Sequence, residues 1–282
     1  MIIKTVLTEA VEQLPKSDTA HLDVAVLLCH VLGVTRSYLY AWPEKKLTAD
    51  QLAQFQALLV HRAKGEPVAY LIGHREFWSL DLQVTSETLI PRPETELLVE
   101  QALARLPDDS NAEVIDLGTG AGAIALAIAT ERPRCRVLAT DHSAAALNVA
   151  QTNAASLGLT DRLQLVLSDW WAALPDNKAT LIVSNPPYVA ANDPHLSQGD
   201  VQYEPKSALV ADMDGLADIR QLIAESFSHL HTSGWLLLEH GYNQAEAVRT
   251  VFEQYGYQAV TTYTDLAGLP RVTVGQQILS VS

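Results

Sequence analysis

Asn185, Pro186, Pro187 and Tyr188 stand together in the chain, and their chemistry is complementary. Neither proline has a backbone N–H and both have a fixed φ, so this main chain offers carbonyl acceptors and almost no donors. The Asn185 side-chain oxygen and a neighbouring carbonyl can accept the two hydrogens of a planar –NH2 group while the Tyr188 ring lies against its π-face. That set suits an amide or an aromatic amine. Such a nitrogen is a poor nucleophile because its lone pair is delocalised, and fixing it in line with a strong electrophile supplies what its basicity lacks. Taken alone, the four residues also suit an ordinary strand exit punctuated by prolines.

A second cluster lies upstream. Glycines 118, 120 and 122, with Thr119 and Ala121 between them, follow the apolar run Val114-Ile115-Asp116-Leu117 and precede a helical pattern. The missing Cβ atoms let a ligand approach the backbone there. Asp141 ends the next apolar run, where a carboxylate can hydrogen-bond ribose hydroxyls. Together they suggest a nucleoside-cofactor site. Gly118, Gly120 and Ala123 also fit the G-x-G-x-x-A dinucleotide fingerprint, so an NAD-dependent oxidoreductase is a rival on the glycines alone, although it leaves Asn185 to Tyr188 without a role.

These residues need strands to carry them. Thr180 to Val183 is a short β-branched run that the two prolines terminate at Asn185. Strands 114–117, 136–140, 163–167, 181–183 and 235–238 alternate with helices, and Ser143 and Gly158 bracket one of them. The alternation predicts a parallel sheet covered on both faces, with ligands beyond the carboxyl ends of the strands. Residues 1–75 read instead as a small helical bundle. One helix follows the capping candidates Ser17 and Asp18, and another opens on the capping box Thr48-Ala49-Asp50-Gln51 with Leu52, Phe55, Leu58 and Leu59 on one face. Residues 76–92 form the linker, where Trp78, Leu80, Leu82 and Val84 alternate as a strand and Leu89-Ile90 would return as the second arm of a hairpin. A helix then runs from about Leu97 to Leu106, and the two prolines flanking Arg92 hold its side chain in a stiff segment, although Arg92, Glu94 and Glu96 also suit a plain solvated helix start. Residues 93–282 make up the α/β domain.

The 282 residues carry a net charge of −14, unevenly spread. Residues 1–75 have 8 Lys/Arg against 7 Asp/Glu, whereas residues 76–282 have 11 against 26. An acidic catalytic region without a Lys/Arg cluster is a poor grip for a phosphate backbone, which argues against a direct nucleic-acid substrate. No apolar run approaches the ~18 residues of a membrane span, and Glu9 and Glu12 interrupt any signal-peptide core. Cys29 and Cys135, the only cysteines, read as buried free thiols, so a reducing cytoplasm and no metal site are expected.

Asp116-Leu117-Gly118-Thr119-Gly120-Ala121-Gly122, Asp141 and Asn185-Pro186-Pro187-Tyr188 resemble class I S-adenosylmethionine-dependent methyltransferases that modify planar nitrogens of adenine, guanine or glutamine. The helical front end, Glu66 to Gly73, Phe77-Trp78, Ile90 to Glu96, Tyr203-Glu204-Pro205 and Leu238 to Gly241 narrow the resemblance to the peptide chain release factor glutamine methyltransferases, the PrmC or HemK family. That resemblance implies a Rossmann-like doubly wound domain behind a helical bundle and a hairpin. It implies S-adenosyl-L-methionine over Gly118 to Gly122, leaving S-adenosyl-L-homocysteine as product, with its ribose on Asp141, its adenine beside Asp169 and Trp170, and its methyl facing Asn185. Asn185 and Tyr188 would be catalytic, Asn185 to Tyr188 would bind substrate, and the partners would be class I release factors presenting a Gly-Gly-Gln motif. Asp116 and Glu239 would tune or brace the site, or serve as structural strand-end acids. A nucleic-acid exocyclic-amine methyltransferase is the alternative, and a non-enzymatic adaptor with a cofactor-type fold is a third.

Overall fold

The computed structural model describes residues 1–15, 17–174, 176–212 and 214–278. The chain divides into two compact units, one of Met1–His74 with Ser197–Tyr203, the other of Arg75–Leu196 with Glu204–Ser282.

The first unit is built from α1 (Ile3–Val11), α2 (Ala20–Leu32), α3 (Arg36–Ala41), α4 (Ala49–Ala63) and α5 (Val68–Ile72) around Ile3, Val6, Val24, Leu27, Leu28, Leu39, Phe55 and Leu59. Thr48 and Gln51 form the expected capping box at the start of α4. The start of α2 differs from expectation. Its N-cap is Thr19, and the Ser17 hydroxyl instead donates to the buried Asp23 carboxylate at 2.8 Å, joined by Thr19 Oγ1 at 2.9 Å and Arg62 Nε at 2.8 Å. A buried anion outcompetes the backbone for these hydroxyls because its desolvation must be offset by donors. Arg62 also reaches Asp200 at 2.9 Å, and the Tyr203 hydroxyl donates to the Lys64 carbonyl at 2.6 Å, which secures Ser197–Tyr203 within this unit. Cys29 is half-buried rather than buried.

The chain enters the second unit along a hairpin of β1 (His74–Phe77) and β2 (Leu80–Gln83). The turn falls earlier than the alternation of apolar residues predicts. Trp78 and Ser79 occupy left-handed conformations, φ 53° and 60°, and are the turn itself rather than strand residues. Two positive φ values match the twist of a two-residue hairpin turn, and Leu89-Ile90 is left outside any strand. A 3₁₀ turn at Pro93–Thr95 then leads into α6 (Glu96–Leu103).

The main sheet consists of β3 (Glu113–Leu117), β4 (Arg136–Asp141), β5 (Leu163–Leu167), β6 (Ala179–Ser184), β9 (Leu230–Glu239), β10 (Gln258–Thr264) and β11 (Pro270–Gln276) in the order β10-β11-β9-β6-β3-β4-β5. β7 (Val189–Ala190) and β8 (Val210–Ala211) pair separately. β11 runs antiparallel to both its neighbours, so the sheet is mixed, not wholly parallel as its central strands suggest. Alternate residues of each central strand enter opposite cores. Val114, Leu181, Val183 and Leu237 face α6 and α7 (Ala123–Glu131), while Ile115, Ile182, Leu236 and Leu238 face α9 (Ala217–Ser226) and α10 (Ala245–Gln254). Burial on both sides is why these strands read as continuous apolar runs.

One buried side chain ties the hairpin to the glycine loop. Asn153, on α8 (Ala144–Ser156), accepts from Gln83 N at 2.7 Å and donates to Gln83 O at 3.0 Å and to Ala121 O at 2.9 Å. Leucine there would leave three backbone groups without partners, at about 1–3 kcal/mol for each that stays dry. Asn153→Leu should therefore lower unfolding free energy in urea by about 3 kcal/mol, and a loss under 1 kcal/mol would show that water replaces the amide.

Candidate active site

Parallel register brings the polar residues to one level. Thr140 pairs with Leu117, Leu117 with Ser184, and Ser184 with Leu238, so the next residue on each strand is Asp141, Gly118, Asn185 and Glu239. Asp141, Gly118 and Asn185 line a cleft of about 640 Å³ beyond the strand ends, together with Gly120, Asp169, Trp170, Pro187 and Asp218.

The glycine motif divides its labour. Gly118 and Gly120 line the cleft with φ of 75° and 56°, and a Cβ at Gly118 would stand 3.4 Å from the Trp170 ring. Thr119, Ala121 and Gly122 are not among the lining residues. Thr119 Oγ1 donates inward to Asp116 at 2.6 Å, the Ala121 carbonyl is held by Asn153, and a Cβ at Gly122 would press to 3.0 Å on Leu126. These three shape the loop from behind.

Asp141 does more than face solvent. One of its oxygens accepts from Gly120 N at 2.9 Å and the other from Ser143 N at 2.9 Å, so it braces the loop and still has a lone pair on each oxygen for a ligand hydroxyl. Trp170 sits at φ 44°, its ring beside Gly118, and its indole N–H turns toward Asp218, whose carboxyl burial pushes up while that donor pulls it back. The glycines leave room, Asp141 offers acceptors, Trp170 an aromatic face, and Asp141, Asp169, Asp212 and Asp218 surround the space with carboxylates. That donor set fits a cationic nucleoside such as S-adenosylmethionine.

Behind the far wall lies a polar cluster. Asn185 Nδ2 donates to the buried Thr95 Oγ1 at 3.2 Å, and the Tyr188 hydroxyl donates to Glu239 at 3.3 Å. Gln244 Nε2 takes the Tyr188 carbonyl at 3.0 Å, while a Cβ at Gly215 would lie 2.3 Å from that oxygen. The Tyr188 carbonyl is thereby fixed in place by the Gln244 amide. Arg92 is not a solvated helix start. It bonds the buried Glu204, which also accepts from Ile90 N at 3.3 Å, and Glu96 accepts from Trp78 N at 2.9 Å. Thr95, Asn153 and Glu204 escaped assignment from sequence because only their partners give them roles. The one signal was their place in the quoted motifs, which holds for Thr95 and Glu204.

Asp116 is wholly buried, its Oδ1 makes no regular hydrogen bond, and burial pushes its carboxyl up to about 7 against the pull of Thr119 and of the Ala125 backbone. A folded-state value above the unfolded carboxylate value means the native state binds the proton more tightly, so stability falls as pH rises from about 4 to about 7. Asp116→Asn should flatten the dependence of unfolding free energy on pH across that window by up to one proton, measured by urea melts at several pH values. An unchanged slope would mean that Asp116 stays ionised in the fold.

Residues 5–73 match the family model described as the PrmC N-terminal domain, and residues 93–200 match the methyltransferase small domain. A release factor glutamine methyltransferase of Vibrio cholerae is 52% identical, covering 97% of this chain and 96% of that protein. The Escherichia coli protein of the same description is 50% identical over 96% and 97%. A methyltransferase structure from Pyrococcus furiosus, 15% identical with a TM-score of 0.55, covers 79% of this chain and 98% of its own, and shares the fold. Sharing half its residues with such proteins across nearly its whole length, the chain belongs to the release factor glutamine methyltransferase family.

Proposed function

We propose that the protein transfers a methyl group from S-adenosyl-L-methionine to the side-chain amide nitrogen of the glutamine in the Gly-Gly-Gln motif of class I release factors, in the cytoplasm. The observation that carries this reading is Asn185, whose Nδ2 donates to Thr95 and whose Oδ1 is an acceptor, one residue beyond the sheet and in the same cleft as Gly118, Gly120 and Asp141.

S-adenosylmethionine supplies a methyl group on a sulfonium sulfur, an electrophile that needs no further activation. The cleft carboxylates favour that cation, and Asp141 accepts from the ribose hydroxyls with its remaining lone pairs. Trp170 and Asp169 take the adenine. Asn185 Oδ1 and a carbonyl of the Asn185–Pro187 segment accept the two amide hydrogens of the glutamine, and the Tyr188 ring supports its face. Fixing the nitrogen in this way compensates for its weak nucleophilicity. Its proton is lost late, to water or an adjacent carbonyl, so no strong base is required. A nucleic-acid amine methyltransferase would use the same four residues but is not favoured by the relatives or by the net charge of −14.

Labelled S-adenosylmethionine offered with intact release factor, DNA or RNA tests the reading. Label should appear on the release factor alone, and label on DNA or RNA without it would overturn the assignment. Asn185→Ala should fold and lose turnover by roughly 10²–10³, the scale for one preorganised polar group. Near-normal turnover in the folded variant would remove Asn185 from the reaction.

Glutamine is common in proteins, so discrimination requires contacts remote from the reacting nitrogen. The helical front end, residues 1–75, is the surface proposed to dock the release factor body. Tyr40 and Trp42 are exposed there by 78% and 60%, and aromatic side chains of this kind dominate protein–protein affinity. Mutating both to alanine should raise KM for whole release factor about tenfold or more while cofactor affinity is unchanged. An unaltered KM would place docking elsewhere. Among the described residues no helix is long and apolar enough to cross a membrane.

A further inference from the structure

We infer that Thr95 and Glu239 are positioning residues that set which way the Asn185 amide faces, an inference that rests on the amide-methylation reading above. An asparagine side chain is nearly symmetric in shape, and its two orientations are opposite in chemistry. One presents Oδ1 to the cleft and accepts a substrate –NH2, and the other presents donors that oppose it. The choice is made by whatever stands behind the amide.

Thr95 Oγ1 stands there, 3.2 Å from Asn185 Nδ2. A hydroxyl alone decides nothing, because it both donates and accepts and so tolerates either orientation. The deciding group is the next one back. Glu239 is 1% exposed, the hydroxyls of Thr95 and Tyr188 face its carboxyl, and its Oε2 makes no regular hydrogen bond. Ionised, that carboxylate is acceptor-only and draws the Thr95 hydrogen toward itself. Thr95 Oγ1 is then left only lone pairs for Asn185, so Nδ2 turns to Thr95 and Oδ1 to the cleft. Protonated, Glu239 can donate to Thr95 Oγ1, which frees the Thr95 hydrogen for Asn185 Oδ1 and allows the amide to reverse.

The surroundings place this switch in a useful range. Burial pushes the Glu239 carboxyl up to about 7, against Thr95, Tyr188 and the charge of Arg271, with Glu94 adding to the rise. Arg271 is itself held by Asp265 at 3.0 Å, and Arg92 acts on the Tyr188 phenol that shares the carboxyl. His240, next in the chain, is turned away to Thr273 and the Gly241 carbonyl, and burial lowers its pKa. With the folded value raised, Glu239 is protonated below about pH 7, so the productive orientation is present above that pH and lost as pH falls through it.

The test uses the full-length enzyme with intact release factor. Thr95→Val, which keeps the shape and removes the hydroxyl, should lower kcat by about 10-fold to 10²-fold, the range for a misaligned reacting group, while the variant stays folded and S-adenosylmethionine affinity stays near wild type. Thr95→Ser should recover most of the activity. Wild-type kcat should rise through about pH 7, and Glu239→Gln should be slow with that rise abolished. Thr95→Val within twofold of wild type, or an acid limb that persists unchanged in Glu239→Gln, would overturn the inference. Should Glu239→Gln fail to fold, the valine and serine variants decide the matter. A wild-type enzyme that labels no release factor would defeat the amide-methylation reading instead, so the two failures are distinguishable.

Discussion

The site depends on the parallel register of four adjacent strands. Because β4, β3, β6 and β9 end in step, the residues that leave the sheet together are Asp141, Gly118, Asn185 and Glu239. A slip of one residue on β6 would turn Asn185 to the other face and put the buried Ser184 in its place, losing the 2.6 Å bond from the Ser184 hydroxyl to the Leu117 carbonyl. Both cores resist such a slip, since alternate residues of β3, β6 and β9 are buried on opposite faces.

That order carries polar groups into a dry interior. Asp116 and Glu239 are both fully buried, and each has one carboxyl oxygen without a regular partner. Both have pKa values pushed up to about 7 by desolvation, which makes them native-state liabilities at higher pH. Their neighbours explain their retention. Asp116 receives Thr119 and so pins the glycine loop from inside, and Glu239 anchors Tyr188 and faces Thr95 behind Asn185. Asp141, better supplied with donors, braces the same loop from the cleft side through Gly120.

Much of this was legible along the chain. The central strands, the capping box at Thr48 and the Ser143 cap follow from local pattern, and each is present. Alternation over Trp78 to Val84 looks like one strand, whereas left-handed backbone at Trp78 and Ser79 turns the chain in its midst. The reversal of β11 is not legible along the chain, since strand direction is a property of partners and not of composition. Ser17 suited a cap, but a buried Asp23 made a stronger claim on its hydroxyl.

The sequence by itself determined the residue types that can do the chemistry and the strand ends that present them, because apolar runs, glycines and prolines act through local sterics. It also determined family membership, through motifs spread over nearly the whole chain. Only the tertiary structure decided how those residues are employed. Gly118 and Gly120 face the cleft while Thr119 turns to Asp116, Arg92 is bound to Glu204, and Asn185 Nδ2 donates to Thr95. Those outcomes depend on pairs 3 to 112 residues apart in sequence, and a hydrogen bond or a desolvation cost exists only once both partners are brought together.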